Sequence, residues 1–201
     1  MAVHVTVAGA VERCAAADPS KVSDEGPRDT LVTEMISRWS GRLVLIGAVL
    51  GTIGCDRVTK HVAATTLAGA PGRAYFAETV WLGYVENSGG FLSLGADLPP
   101  GARKVIFTVG TGMMLLALTV IAIRSGLNGW PALGLALFIA GGASNWIDRV
   151  VRGSVVDFLN VGIGSVRTGV FNVADVAIMI GAVVFAMGQF RKGRQASETR
   201  P

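Results

Sequence analysis

Two aspartates stand where a pair could act on a peptide bond. Asp157 lies in the apolar run SVVDF, residues 154–158, and Asp175 in FNVAD, residues 171–175, at the start of a long apolar segment. The stretch between them is rich in glycine and reads as a turn or short hairpin. An antiparallel return across such a turn brings both carboxylates to one end of the assembly. Two close carboxylates cannot both ionise cheaply, so one keeps a proton while the other stays charged. The charged one can activate a water; the protonated one can polarise a carbonyl and later protonate a leaving amine. That chemistry needs no metal and no cofactor. The sequence offers no metal spacing either: His4 and His61 are far apart, and Cys14 and Cys55 form no ligand set.

Further polar residues gather around the pair. Asn145 and Arg149 are four apart and Asn172 and Asp175 three apart, so each couple shares a helix face. Asp148 is placed to pair with a neighbour. Asp56 and Lys60, four apart at the end of an apolar run, read either as a helix-end ion pair with a snorkelling lysine or as functional charges at membrane depth. Asn87 opens the sequence Asn-Ser-Gly-Gly, where it either caps a tight turn or meets a substrate backbone. A carboxylate such as Asp175 is also simply favoured at a helix N-terminus.

The elements that must position these groups are apolar helices. Only 16% of the 201 residues are charged, 51% are hydrophobic, and the mean hydropathy is +0.52; a soluble domain averages about 25% charged residues. The net charge of +4 is explained by basic residues flanking spans and facing anionic lipid, without a nucleic acid. The apolar run 43–55 is too short to cross a bilayer and must continue through Asp56, Arg57 and Lys60. Residues 105–123 form an uninterrupted span, residues 131–150 a third, and residues 171–190 a fourth. Residues 74–87, rich in aromatic and β-branched side chains, read as one or two short interfacial strands. The expected fold is an all-α polytopic membrane protein with four transmembrane helices and a small extracytoplasmic β element. Residues 1–34 are expected as a disordered cytoplasmic leader, 35–192 as the membrane domain and 193–201 as a cytoplasmic tail, with Met35 an alternative start. Basic residues before the first span and after the fourth place both termini in the cytoplasm. A lipoprotein export signal ending at Cys55 is a poorer reading, since Thr52 replaces the usual aliphatic residue and three further spans follow.

Four blocks in order carry a resemblance: DRVTK at 56–60, ENSGGFLSL at 86–94, GGASNWIDRVVRGSVVDF at 141–158 and FNVAD at 171–175. Over about residues 36–192 the chain resembles the bacterial lipoprotein signal peptidases, or signal peptidase II. The resemblance implies that Asp157 and Asp175 are the catalytic pair, with Asp56, Lys60, Asn87, Gly89, Asn145, Arg149 and Asn172 supporting it or binding substrate. It implies an aspartic endopeptidase that removes signal peptides from diacylglyceryl-modified prolipoproteins just before the lipidated cysteine. It also implies sensitivity to globomycin and an active site near the periplasmic face of the inner membrane. The expected partners are lipid-modified prolipoproteins and membrane phospholipid, with no nucleic acid, and the chain is expected to be a monomer. Two departures bear on loop shape and substrate preference: Gly90 and Phe91 follow Gly89 where the family commonly has alanines, and Gly169-Val170 precede Phe171 where a proline is common. Two other readings use the same charges. A proton-coupled transporter would use the aspartates as carriers, and a membrane scaffold would use them as helix-end pairs.

Overall fold

The computed structural model describes residues 27–90 and 94–198, with side chains described over 39–90 and 94–191. The chain divides into two units, Met1–Ser40 and Gly41–Pro201; the second holds every element from β1 onward and all the candidate site residues. The expected leader lies outside the described residues up to 26, and from Pro27 the backbone is already helical. Phe91, one of the two sequence departures, also lies outside the described residues.

Helix α1 runs over Pro27–Thr66 and so continues through Asp56 and Lys60, as the shortness of its apolar run requires. Strands β1 (Arg73–Tyr75) and β2 (Val80–Asn87) follow. Helix α2 (Pro100–Arg103) opens with proline in its first turn, where no amide partner is lost, and leads through a π-helical segment, Lys104–Gly110, into α3 (Thr111–Arg124). The widened π turn has a use: the Thr108 carbonyl accepts a hydrogen bond from the Trp146 indole at 2.8 Å. Helix α4 (Gly129–Arg152) ends at Gly153, whose φ of 79° is the left-handed conformation of a helix cap and whose amide donates to the Arg149 carbonyl. Strands β3 (Val155–Ile163) and β4 (Val166–Arg167) lead to α5 (Val173–Glu198).

The four strands form one antiparallel sheet in the order β1-β2-β3-β4. The β element expected over 74–87 is therefore half of a sheet; the other half is the hairpin after α4, where 159–169 reads from sequence as a turn or short hairpin. Phe171 pairs back onto Leu159, so the chain enters α5 alongside β3.

Burial is inverted relative to a water-soluble core. Of the seven largest fully buried side chains among the described residues, five are polar: Asn172, Asp56, Asp148, Asp157 and Ser144. Large apolar side chains such as Met113, Leu116, Val183 and Phe190 point outward. Such a surface suits lipid, not water. Two helices among the described residues are long and apolar enough to cross a membrane, Pro100–Arg124 with mean hydropathy 2.3 and Val173–Arg191 with 1.9. The four expected from sequence include α1 and α4, which fall outside that criterion. They carry Asp56, Arg57 and Lys60, and Asn145, Asp148 and Arg149, and these polar groups lower their hydropathy.

Helices α4 and α5 approach through small residues, as helices without a hydrophobic drive between them do. A Cβ built on Gly141 would lie 2.5 Å from the Ala174 carbonyl oxygen, immediately before Asp175. Gly141→Ala is therefore expected to push the start of α5 outward. We expect about 1–3 kcal/mol of lost stability and a larger loss of turnover than of folded protein. Thermal melts set beside activity per folded molecule would check this; equal losses of both would make Gly141 a packing residue alone.

Candidate active site

The register of β2 on β3 places Asn87 opposite Val155 and Val85 opposite Asp157, so Asn87 and Asp157 lie diagonally on one face. Asn87 Nδ2 donates to Asp157 Oδ2 at 2.9 Å and to the Gly90 carbonyl at 3.1 Å, while its Oδ1 accepts the Gly89 amide at 3.0 Å. The asparagine thus forms the tight turn and holds the aspartate together. Arg149 braces the same turn from α4, donating through Nη2 to the Gly89 carbonyl at 2.7 Å.

Asp175 sits at the third position of α5, with Asn172 as the capping residue. The Asn172 amide donates to Asp175 Oδ2 at 3.1 Å, and the Asp175 amide donates to Asn172 Oδ1 at 3.0 Å. This reciprocal arrangement is a capping box. Asn172 Nδ2 turns the other way and donates to Asp157 Oδ1 at 2.6 Å. One residue therefore holds both carboxylates. Asn145 completes the set, donating from Nδ2 to Asp175 Oδ1 at 2.8 Å.

Every oxygen of the pair is met by a neutral amide donor. A guanidinium in direct contact would hold both carboxyls ionised; neutral amides fix their positions with a weaker bias toward the charged form. Burial above all, with the Asp175 charge adding to it, holds the Asp157 carboxyl at about 6 against an ordinary 3.8, although the Asn87 and Asn172 hydrogen bonds oppose the rise. The pair opens onto a cavity of about 500 Å³ walled by Phe107, Met114, Phe138 and Ile178. Its size falls in the range of ligand pockets, and its apolar walls with a few convergent polar groups are the usual composition of one.

Behind the pair lies a buried ionic lattice. Lys60 Nζ is 2.7 Å from Asp56 Oδ2 and 2.8 Å from Asp148 Oδ2, and it donates to Asn145 Oδ1 at 2.7 Å. Asp56 Oδ1 accepts the Ala174 amide at 2.9 Å, so a carboxylate from α1 caps α5 one residue before Asp175. Arg57 Nη1 donates to Asp148 at 2.7 Å, and Arg57 Nη2 to the Ser144 carbonyl at 2.6 Å. The Ser144 hydroxyl donates to Asp56 Oδ2 at 2.6 Å. Two cations and two carboxylates balance.

The structure brings together all nine residues singled out from sequence: Asp157, Asp175, Asp56, Lys60, Asn87, Gly89, Asn145, Arg149 and Asn172. Sequence reasoning missed Arg57 and Ser144 as parts of the lattice and gave Asp148 no definite partner. A signal was present: Ser144 and Asp148 are four apart, on the face of α4 next to that of Asn145 and Arg149, and the block holding Asp56 has two cations for its one carboxylate.

These observations define a class: a helical protein with lipid-length apolar helices and an aspartate pair, one member buried and one half-buried, at the join of a small sheet and two helices. The family profile described as Signal peptidase (SPase) II matches residues 48–191. The chain belongs to that family of peptidases. It is 35% identical over 145 residues to a lipoprotein signal peptidase of Desulforapulum autotrophicum, covering 72% of this chain and 88% of the relative. To that of Nostoc punctiforme it is 32% identical over 155 residues, covering 77% and 94%. A solved structure described as a bacterial membrane enzyme shares the fold with a TM-score of 0.66 and 24% identity, covering 79% of this chain and 94% of that one.

Proposed function

We propose that this chain is an aspartic endopeptidase of the membrane that removes the signal peptide from diacylglyceryl-modified prolipoproteins, cutting just before the lipidated cysteine. The observation that carries this reading is the pairing of Asp157 and Asp175 through Asn172 at the wall of an apolar cavity. The pair holds one proton. Its ionised member draws a proton from a water as that water attacks the scissile carbonyl; the protonated member donates to the carbonyl oxygen. When the tetrahedral intermediate collapses, the proton taken from water passes to the leaving amine while a hydroxyl of the intermediate returns its proton to the other aspartate, so the pair again holds one proton. The apolar cavity walls suit a lipid-bearing substrate and exclude bulk water. In this reading α1 and α4 also cross the bilayer, making four spans. Both termini are cytoplasmic, and the sheet with its aspartates lies near the outer face of the inner membrane.

The direct test is a gel-shift cleavage assay on the purified chain in detergent, with a diacylglyceryl-modified prolipoprotein and its unmodified form side by side. We expect cleavage of the modified form alone, with product mass placing the cut before the cysteine. An intact substrate, under conditions where a related peptidase cuts it, would send the reading back to a proteoliposome transport assay.

The pH dependence follows from the shared proton. Below both apparent pKa values of the pair no base remains, and above both no acid remains, so kcat/KM should be bell-shaped. With Asp157 at about 6 in the free enzyme, the alkaline limb should bend near that value and fall about tenfold per unit beyond it. The limb of kcat should lie higher, because a bound substrate deepens the burial of the pair. A profile flat across that range would argue against a proton held by the aspartates.

A further inference from the structure

A second cavity, of about 560 Å³, shares Phe107 and Arg149 with the aspartate cavity but is lined by neither aspartate. Three cations line it, Arg103, Lys104 and Arg149, and no carboxylate does. Their donors are only partly used. Arg103 donates through Nη1 to the Ser88 hydroxyl at 2.5 Å and to the Ala96 carbonyl at 3.1 Å, which holds the loop before α2. Lys104 has no hydrogen-bond or ion-pair partner among the described residues. Arg149 uses both Nη groups, but its Nε is buried without a partner.

The chemistry that satisfies this set is an anion with several oxygens. Phosphate matches the guanidinium forks and the point charge of a lysine. Pro100, Phe107 and Val150 line the same cavity and give the anion an apolar flank. The cavity also sits at the opening of Pro100–Arg124, the more apolar of the two membrane-length helices among the described residues. Basic pockets between apolar helices at a membrane surface take lipid headgroups. We propose that this cavity binds the phosphate headgroup of an anionic phospholipid. The site stands on its own geometry and does not depend on the peptidase reading. It nevertheless meets the aspartate site through Arg149, which holds Gly89 and the Asn145 carbonyl.

Lys104 gives a clean test, since its removal breaks no hydrogen bond or ion pair among the described residues. The full chain in neutral detergent would be titrated with short-chain phosphatidylglycerol or phosphatidylcholine, and bound lipid counted by native mass spectrometry. We expect selective retention of phosphatidylglycerol. K104Q should weaken it about fivefold, the effect of one basic residue at an anionic lipid surface, with an unchanged melt. R73Q, which removes an exposed arginine of β1 outside the cavity, should leave it unchanged. A third arm adds inorganic phosphate. Displacement of the lipid by an equal concentration of phosphate would assign the site to the free anion and overturn the lipid assignment. Equal binding of the two lipids, equal losses in K104Q and R73Q, or no loss in K104Q would overturn the site itself.

Discussion

Asp157→Asn and Asp175→Asn are each expected to lower prolipoprotein cleavage about 10³-fold or more while the protein stays folded. General acid and base roles contribute about 10²–10⁴-fold each, and removing either carboxyl disables the shared proton that serves both. The double variant should be no worse than either single one, because groups that act as a unit lose their effect together. The effect of Asp157→Asn on stability should depend on pH. Its folded carboxyl titrates at about 6, above the ordinary 3.8, so its contribution to stability is full below the ordinary value and is lost as pH rises through 6. Two pKa units are worth about 3 kcal/mol, and an asparagine cannot ionise and so avoids that loss. Against this, Asn87 and Asn172 both donate to Asp157, and an amide there offers one acceptor where the carboxylate had two. An unmade contact costs about 1–3 kcal/mol. Asp157→Asn should therefore melt close to wild type at pH 7.5 and clearly below it at pH 4. Cleavage at a tenth of the wild-type rate or more in either single variant would remove the pair from the chemistry, whatever the family.

Local chemistry made much of this arrangement legible in the sequence. Asn172 and Asp175 are a capping residue and its third-position partner, and that spacing alone placed them on one turn. Asp56 and Lys60 are four apart, and their 2.7 Å contact follows from helical geometry. Gly153 ends α4 as expected of a glycine in the left-handed conformation. What was not legible depends on partners distant in the chain. Asp157 belongs to a nine-residue strand whose pairing partner, β2, lies some 70 residues earlier, and no local period reveals that register. The same distance hid the role of Asn87, whose turn-capping was readable but whose contact with Asp157 was not. Arg57 looked like one more charge at a helix end because its partners, Ser144 and Asp148, are on α4. The family resemblance supplied the grouping that periodicity lacked, and the structure supplies the reason for it: the polar residues of all four blocks converge on two carboxylates.

Lys60→Met is expected to be the most destabilising single change in the lattice, at about 3–5 kcal/mol. It leaves Asp56 and Asp148, both almost fully buried, with only the half-exposed Arg57 between them. For a chain of this size that loss lowers the melting temperature on the order of 10 °C. Lys60→Met with Asp148→Asn restores charge balance and should recover more than half of the stability. Activity should not return with it. In wild type the lysine donates to Asn145 Oδ1, which fixes that amide so that its Nδ2 faces Asp175. Without the ammonium, Asn145 Oδ1 keeps only the longer hydrogen bond from Asn172 Nδ2 at 3.2 Å, so the amide is held less firmly against Asp175. The double variant, folded and balanced, still lacks that donor, so its kcat should stay low while KM changes little. Restored stability with restored turnover would make Lys60 a partner for buried carboxylates and nothing more. Restored stability with lost turnover would mean that the lattice sets the orientation of Asn145, and through it the position and proton affinity of Asp175.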